Sequence, residues 1–266
     1  MDNLLTSPNF LPINFRKYHL LWGIIGDMQE LFEGLVEFEG IFYPPKQNPE
    51  NFDISYPSDG LKNLNLVEDE SYWYWHRNRC IAHQVEKHCS GLPFLDIGGG
   101  NGPVSKFLQN RGVDSILVEP DKTGCQNALS RGVKKIVQGK IGEITFREGC
   151  EPFSVGMFDV IEHIEDDQTL IKQVCELLSK DGILIATVPA SKFLWSKADV
   201  HAGHYRRYTT KSFSDLLENS GFEIIEIHKL FSILLIPIFL FRVIPSYLGL
   251  YSGKKNTNER DHASGK

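Results

Sequence analysis

Residues 94–108 read FLDIGGGNGPVSKFL, a short apolar strand, a glycine-rich turn and the start of a helix. Pro103 suits a first helical turn, where its missing N–H costs nothing, and Val104, Phe107 and Leu108 give that helix an apolar face. Glycines let the backbone take positive φ and approach a ligand closely. A dinucleotide loop would read GxGxxG or GxGxxA, but counting from Gly98 the third position falls on Pro103. The pattern that fits is DxGxGxG, with Asp96, Gly98, Gly100 and Gly102, and with Gly99 between them.

The pattern repeats outward from this turn. SILVEP, KKIVQG, SVGMFDV, GILIATVP and FEIIEI read as five further strands. Between them, Leu170, Ile171, Val174, Leu177 and Leu178 mark a helix near 167–179, capped by Asp166 or Asp167. Thr209 or Thr210 caps another through Phe213, Leu216 and Leu217, stopped at Gly221. Strands alternating with single helices predict an α/β fold with a doubly wound, mostly parallel sheet.

The 266 residues divide by pattern into 1–68, 69–229, 230–252 and 253–266. The first is an N-terminal cap with an amphipathic helix over Leu21, Ile24, Ile25, Met28, Leu31, Phe32 and Leu35. After it comes a loop holding Pro44, Pro45, Pro49 and Pro57. A second helix, roughly 70 to 88, carries SYWYWHRNR, in which Tyr72, Trp73 and Trp75 pack the cap onto the core or form a lid. The stretch LFSILLIPIFLF, 230 to 241, is an apolar extension interrupted by Pro237 and too short for an ordinary span. It reads as a buried cover or as a membrane-touching, lipid-facing surface. The last segment reads as a disordered tail.

Net charge is −6, so no general affinity for nucleic-acid phosphates is expected. Five scattered cysteines without a CxxC pair indicate neither a disulfide framework nor a thiolate metal site. The N-terminus lacks a basic segment followed by an apolar one, and a cytoplasmic protein, with membrane association through 230–241 as its open question, is the expectation.

In a doubly wound sheet, ligands sit beyond the carboxyl ends of the strands. A carboxylate at Asp96 would repel a pyrophosphate and attract an ammonium group. S-adenosylmethionine carries an ammonium and a sulfonium and no phosphate. Glu119, followed by Pro120 at the end of the second strand, is placed to accept both ribose hydroxyls. These residues disfavour a nicotinamide-dependent reductase.

FLDIGGGNG, LVEPD, FDVIEHIEDD and LLSKDGILIATVP resemble, in order and spacing, the signature segments of class I S-adenosylmethionine-dependent methyltransferases. FDVIEHIEDD and GHYRRYT are most similar to the subgroup that includes the ubiquinone-pathway O-methyltransferases. The resemblance spans about residues 70 to 228. It implies a Rossmann-like methyltransferase fold and methyl transfer to a small-molecule or lipid-like acceptor, with oxygen as the favoured atom. It also implies that Asp159 faces the cofactor or its loop, that the segment with His163 lines the methionine end, and that Arg77 meets the cofactor carboxylate. Where the family commonly has an acid near the adenine, this chain offers Lys140, and the usual antiparallel seventh strand is not evident.

The sulfonium already activates its methyl group, so a base need only take a proton from the acceptor. His163 is a base or a loop-fixing residue, whereas His204 and Tyr205 are candidates for acceptor contact or proton removal. His201, His204 and Asp199 have ligand-like spacing, but no metal is expected. Arg206 and Arg207 either bind an anionic group or pair with the acids of DLLEN. A non-catalytic, cofactor-binding or partner-binding member of the same fold is the rival reading.

Overall fold

The computed structural model describes residues 27–45, 61, 65, 68–89, 93–231 and 235–248. The elements run α1 (Met28–Leu31), β1 (Val36–Phe38), β2 (Ile41–Tyr43), α2 (Tyr72–His88), β3 (Phe94–Ile97), α3 (Pro103–Gln109), β4 (Ser115–Glu119), α4 (Lys122–Arg131) and β5 (Ile136–Gln138). Next come β6 (Ser154–Phe158), α5 (Asp167–Leu177), β7 (Ile183–Thr187), α6 (Lys197–Ala202), α7 (Thr210–Asn219), α8 (Leu235–Ile238), a π-helical turn (Phe239–Val243) and α9 (Ile244–Tyr247).

The sheet order is β1-β2-β5-β4-β3-β6-β7. All neighbours are parallel except the β1–β2 hairpin. Side chains alternate across β3 and sort the two layers. Leu95 and Ile97 join Met28 and Leu31 of α1, Leu170, Ile171 and Val174 of α5 and Phe213 of α7 in one core. Phe94 faces the other way, against Ile81 and Val85 of α2 and Val104 and Leu108 of α3. The doubly wound class read from the strand–helix alternation is therefore the fold. Asp166 accepts from the Thr169 N–H, and Thr209 from the Ser212 N–H, so both helix caps fall at the first of the two residues named for each.

Three expectations are corrected. The helix over 21–35 is, within the described residues, only Met28–Leu31, and Leu21, Ile24 and Ile25 lie outside them. The chain turns instead into a hairpin whose two loop residues, Glu39 and Gly40, both take positive φ, at 51° and 79°. That is the handedness which matches twisted antiparallel strands. This hairpin, not a helix, extends the parallel sheet by pairing Phe42 with Val137.

FEIIEI is not a strand. Residues 222–227 pair with no strand, Ile225 and Ile227 are exposed, and β7 is the sheet's edge among the described residues. Its Glu226 is bound instead to Lys87 near the end of α2.

The stretch 230–241 is not a buried cover: Ile236, Phe239, Leu240 and Phe241 are exposed. Pro49, Pro57, the residues 232–234 and the tail 253–266 lie outside the described residues.

Candidate active site

The turn after β3 is fixed from below. Asp96 is fully buried and accepts a 2.7 Å hydrogen bond from the Ser105 hydroxyl of α3, which itself lies 3.0 Å from Ser115 of β4. Burial pushes the Asp96 carboxyl up to about 6, against the pull of the Ser105 bond and of Arg77. Its Oδ1 has no hydrogen-bond partner among the described residues. Gly99 sits directly over this carboxylate: a Cβ there would lie 2.2 Å from Leu117 Cδ1 and 2.7 Å from Asp96 Oδ2, so only glycine fits. Gly98, Gly100 and Gly102 hold φ of 67°, 56° and 75°.

Glu119 ties the turn to the next strand. One carboxylate oxygen accepts from the Gly100 N–H at 2.9 Å and the other from the Asp121 N–H at 2.8 Å, spanning Pro120. Burial raises its pKa to about 7, although those two N–H groups favour the charged form. Asp121 then caps α4 through the N–H groups of Thr123 and Gly124.

A second network, unmarked in the sequence, clamps the turn from outside. Arg131 at the end of α4 donates to the Asn101 carbonyl at 2.6 Å and pairs with Glu68 at 3.0 Å, both side chains being buried. The Asn101 amide donates to the Leu61 carbonyl and to Glu68, and its oxygen accepts from Asn127. The turn is thus held by buried polar groups on α3, α4 and the segment before α2.

At the tip of β6, Asp159 takes φ of 59°, accepts from the Thr187 hydroxyl and forms a 2.7 Å ion pair with Arg77 of α2. The Asp159 side chain is 46% exposed, while Arg77 is buried. Arg77 and Asp159, named separately in the sequence, are therefore one unit. Lys140 stands further along, where its backbone N–H caps a short 3-10 turn by donating to Glu143.

Past Asp159, the turn 161–163 buries Glu162 and His163. The His163 ring meets His204 edge-on, with centroids 4.7 Å apart. Burial, and then the neighbouring His204, lower His163 to about 4, so it is neutral at physiological pH. The His204 Nδ1 lies 3.2 Å from Asp199 Oδ1, which also accepts from Arg207 Nε at 2.6 Å. Although burial opposes it, these two partners hold Asp199 well below the usual carboxylate range.

Glu162, His163 and His204 bring ligand atoms within 4.8 Å of one another, a group able to share a proton or hold a cation. The trio suggested by spacing, His201, His204 and Asp199, is not the set that gathers. Tyr205 is exposed; its backbone N–H donates to the Glu162 carbonyl, and Arg206 lies over its ring at 5.8 Å. Arg206 pairs with Asp167, and Arg207 with Asp199. Both arginines are used structurally, though not by DLLEN.

The strand tips therefore present acids, Asp96, Glu119 and Asp159, with Arg77 already paired to one of them. This donor set fits an ammonium-bearing nucleoside without phosphate and would oppose a pyrophosphate. Together with the sheet order, it defines a class I nucleoside-binding methyltransferase. The family model "Methyltransferase domain" matches residues 74–227, and the chain belongs to that family of S-adenosylmethionine-dependent enzymes.

A curated relative from Mycolicibacterium smegmatis, named "Probable S-adenosylmethionine-dependent methyltransferase", is 22% identical over 172 residues, covering 63% of this chain and 66% of its own. The chain thus spans just under two thirds of that relative. Among solved structures, magnesium protoporphyrin IX methyltransferase from Synechocystis with bound S-adenosylhomocysteine aligns with a TM-score of 0.52 and 15% identity, over 64% of this chain and 87% of that one. Human N-acetylserotonin methyltransferase with S-adenosylmethionine aligns with a TM-score of 0.50 and 14% identity, over 64% and 51%. At these identities the two structures speak for the fold alone.

Proposed function

We propose that the protein transfers a methyl group from S-adenosylmethionine to a hydroxyl oxygen of a small-molecule or lipid-like acceptor. Asp96, the 98–102 turn and Glu119 with Pro120 would hold the nucleoside. Arg77 and Asp159 would meet the amino-acid end, and Lys140 would flank the adenine side. When bound, the cofactor supplies an activated methyl carbon. The chain's own residues then have to orient the acceptor, exclude water and receive its proton.

The observation that carries this reading is the Asp199–His204 pair in the loop after β7. An ionised Asp199 fixes the His204 tautomer with its proton on Nδ1, which leaves the Nε2 lone pair to accept a proton. Arg207 orients Asp199 in turn. His163, neutral and buried, sets the position of the His204 ring from the side. Tyr205, exposed beside it, contacts the acceptor. Oxygen as the acceptor atom rests on the FDVIEHIEDD and GHYRRYT resemblance, and exposed apolar side chains near this loop favour a lipid-like molecule.

A panel of hydroxylated aromatic and lipid acceptors, read by S-adenosylhomocysteine release, tests this. His204→Gln should lower kcat by about 10²-fold with S-adenosylhomocysteine affinity unchanged. Asp199→Asn should lower kcat with S-adenosylhomocysteine affinity unchanged, because the His204 ring loses its orienting partner. An unaltered rate in His204→Gln would remove the base. No turnover with any acceptor, in a protein that binds the nucleoside, would favour the non-catalytic member.

A second reading has its own observation. Glu162 is 1% exposed, burial raises its pKa well above the ordinary value, and its Oε2 lacks a hydrogen-bond partner among the described residues, beside two imidazoles. A divalent cation there would satisfy that carboxylate and bind the acceptor oxygen directly. Loss of turnover on chelation, restored by one divalent metal, selects this reading over the free histidine base.

A further inference from the structure

The C-terminal segment after the matched domain is apolar on its outside and anchored on its inside. Val243 is 1% exposed and Ser246 is buried, and the Ser246 hydroxyl accepts the Lys197 N–H of α6 at 3.0 Å. Outward, Phe241 is 81% exposed, and Ile236, Leu240, Tyr247 and Leu248 are exposed with it. The apolar surface continues into the acceptor loop. Phe193, 59% exposed, meets Phe239 edge-on at 6.1 Å, and Val200 is exposed on α6, the helix that buries Asp199. An apolar area assembled from two distant stretches of chain around a catalytic loop marks a contact surface.

Charge says what kind. The whole protein is net negative, yet residues 227–248 contain Lys229 and Arg242 and no Asp or Glu. In the acceptor loop, Lys192 and Lys197 are exposed, whereas Asp199, the one acid between 188 and 208, is fully buried and paired. Aromatic and aliphatic side chains interleaved with the exposed Lys192 and Lys197 suit the headgroup region of an anionic bilayer, where apolar burial and attraction to acidic lipid add. No helix among the described residues is long and apolar enough to cross a membrane. Contact would therefore be interfacial.

We propose that the 235–248 segment and the 192–200 stretch together form a docking face for an anionic lipid surface. Docking turns the loop bearing His204 toward the bilayer, so a lipid-like acceptor is taken from the membrane rather than from solution. This deepens the lipid-like acceptor proposed above and rests on that reading for its purpose, but not for its binding chemistry.

The full chain is mixed with phosphatidylcholine vesicles with and without 30% phosphatidylglycerol, a composition chosen to give about one acidic lipid in three. Bound protein is measured by flotation. Binding should require phosphatidylglycerol and weaken with salt. The Phe193→Ser/Phe241→Ser variant should lose roughly tenfold in partitioning. Lys192→Glu/Lys197→Glu should lose binding at low salt, and both variants should keep S-adenosylhomocysteine affinity in calorimetry.

No binding to acidic vesicles, or binding unchanged in both variants, overturns the docking face. So does a wild-type dimer in light scattering that the phenylalanine variant converts to monomer, since the patch would then be a self-association face. Vesicle binding without turnover on any acceptor would leave the docking face standing and sink only the proposed reaction.

Discussion

The two ends of the sheet's ligand side are built by different means. Around β3 and β4 every strand residue is buried, and the turn between Gly98 and Gly102 is fixed by Asp96, Glu119 and the Arg131–Glu68 pair. Around β7 every strand residue is half-buried, and the neighbouring loops hold their geometry through side chains centred on Asp199. The first half presents backbone shaped by steric necessity. The second presents side chains on loops, which can be replaced without disturbing the sheet. A cofactor shared by many enzymes suits the first arrangement, and an acceptor particular to one enzyme suits the second.

The comparison breaks most sharply at Gly99. Its Cβ has no room above Leu117 and Asp96, so Gly99→Ala should abolish S-adenosylhomocysteine binding in calorimetry and destabilise the fold by about 1–3 kcal/mol. If the variant binds normally, the turn is not the rigid half.

A middle-sized effect concerns protons. Asp96, raised by burial to about 6, must be ionised to favour an ammonium, and Glu119, raised to about 7, must be ionised to accept the ribose hydroxyls. Binding therefore selects their deprotonated forms, and affinity should fall roughly tenfold from pH 8 to pH 6 as Glu119 takes up its proton. The free fold shows the opposite sign. Groups raised on folding bind protons in the native state first, so their contribution to stability rises as pH falls from about 7 toward their ordinary range. Glu119→Gln should accordingly raise the melting temperature at pH 8 more than at pH 5, while removing the pH dependence of binding above pH 6. A pH-independent affinity in the unsubstituted protein would contradict the buried-carboxylate picture.

The smallest effect tests the independence of the β7 half. Thr209 caps α7 through the Ser212 N–H, and Thr209→Ala should cost about 1 kcal/mol in thermal unfolding without changing S-adenosylhomocysteine affinity. A shift in that affinity would mean that the halves are coupled.

Legibility in the sequence divides along the same line. The glycine turn was legible because its demands are local: an acid, three positive φ values and a proline at the first helical position lie within eight residues. Glu119 was legible because a strand end fixes where its side chain stands. The Arg131–Glu68–Asn101 clamp was not, since its members are separated by tens of residues and have no shared period. For Asp199 the sequence shows only ligand-like spacing to His201 and His204, because spacing does not reveal that His204 and Arg207 converge on one oxygen.

FEIIEI misled because its alternation describes a half-buried surface equally well with or without a ladder partner. The helix expected to Leu35 misled for a related reason. Met28, Leu31 and Phe32 satisfy a helical period, yet the alternation of Val36, Phe38, Ile41 and Tyr43 around Glu39–Gly40 is the stronger signal beyond Leu35.

The β1–β2 hairpin has a consequence for how the molecule comes together. Its strands leave the ribosome before their partner, since Phe42 pairs with Val137, roughly a hundred residues later. Until β5 exists, the hairpin has no sheet to join, and a two-stranded hairpin alone is marginal in water. During synthesis the hairpin strands must therefore wait, with Ile41 and Phe42, buried in the finished fold, open to solvent, and they are placed after the central strands rather than before them. A chain assembled in this order is most vulnerable to aggregation midway through translation, at an edge that the finished protein conceals.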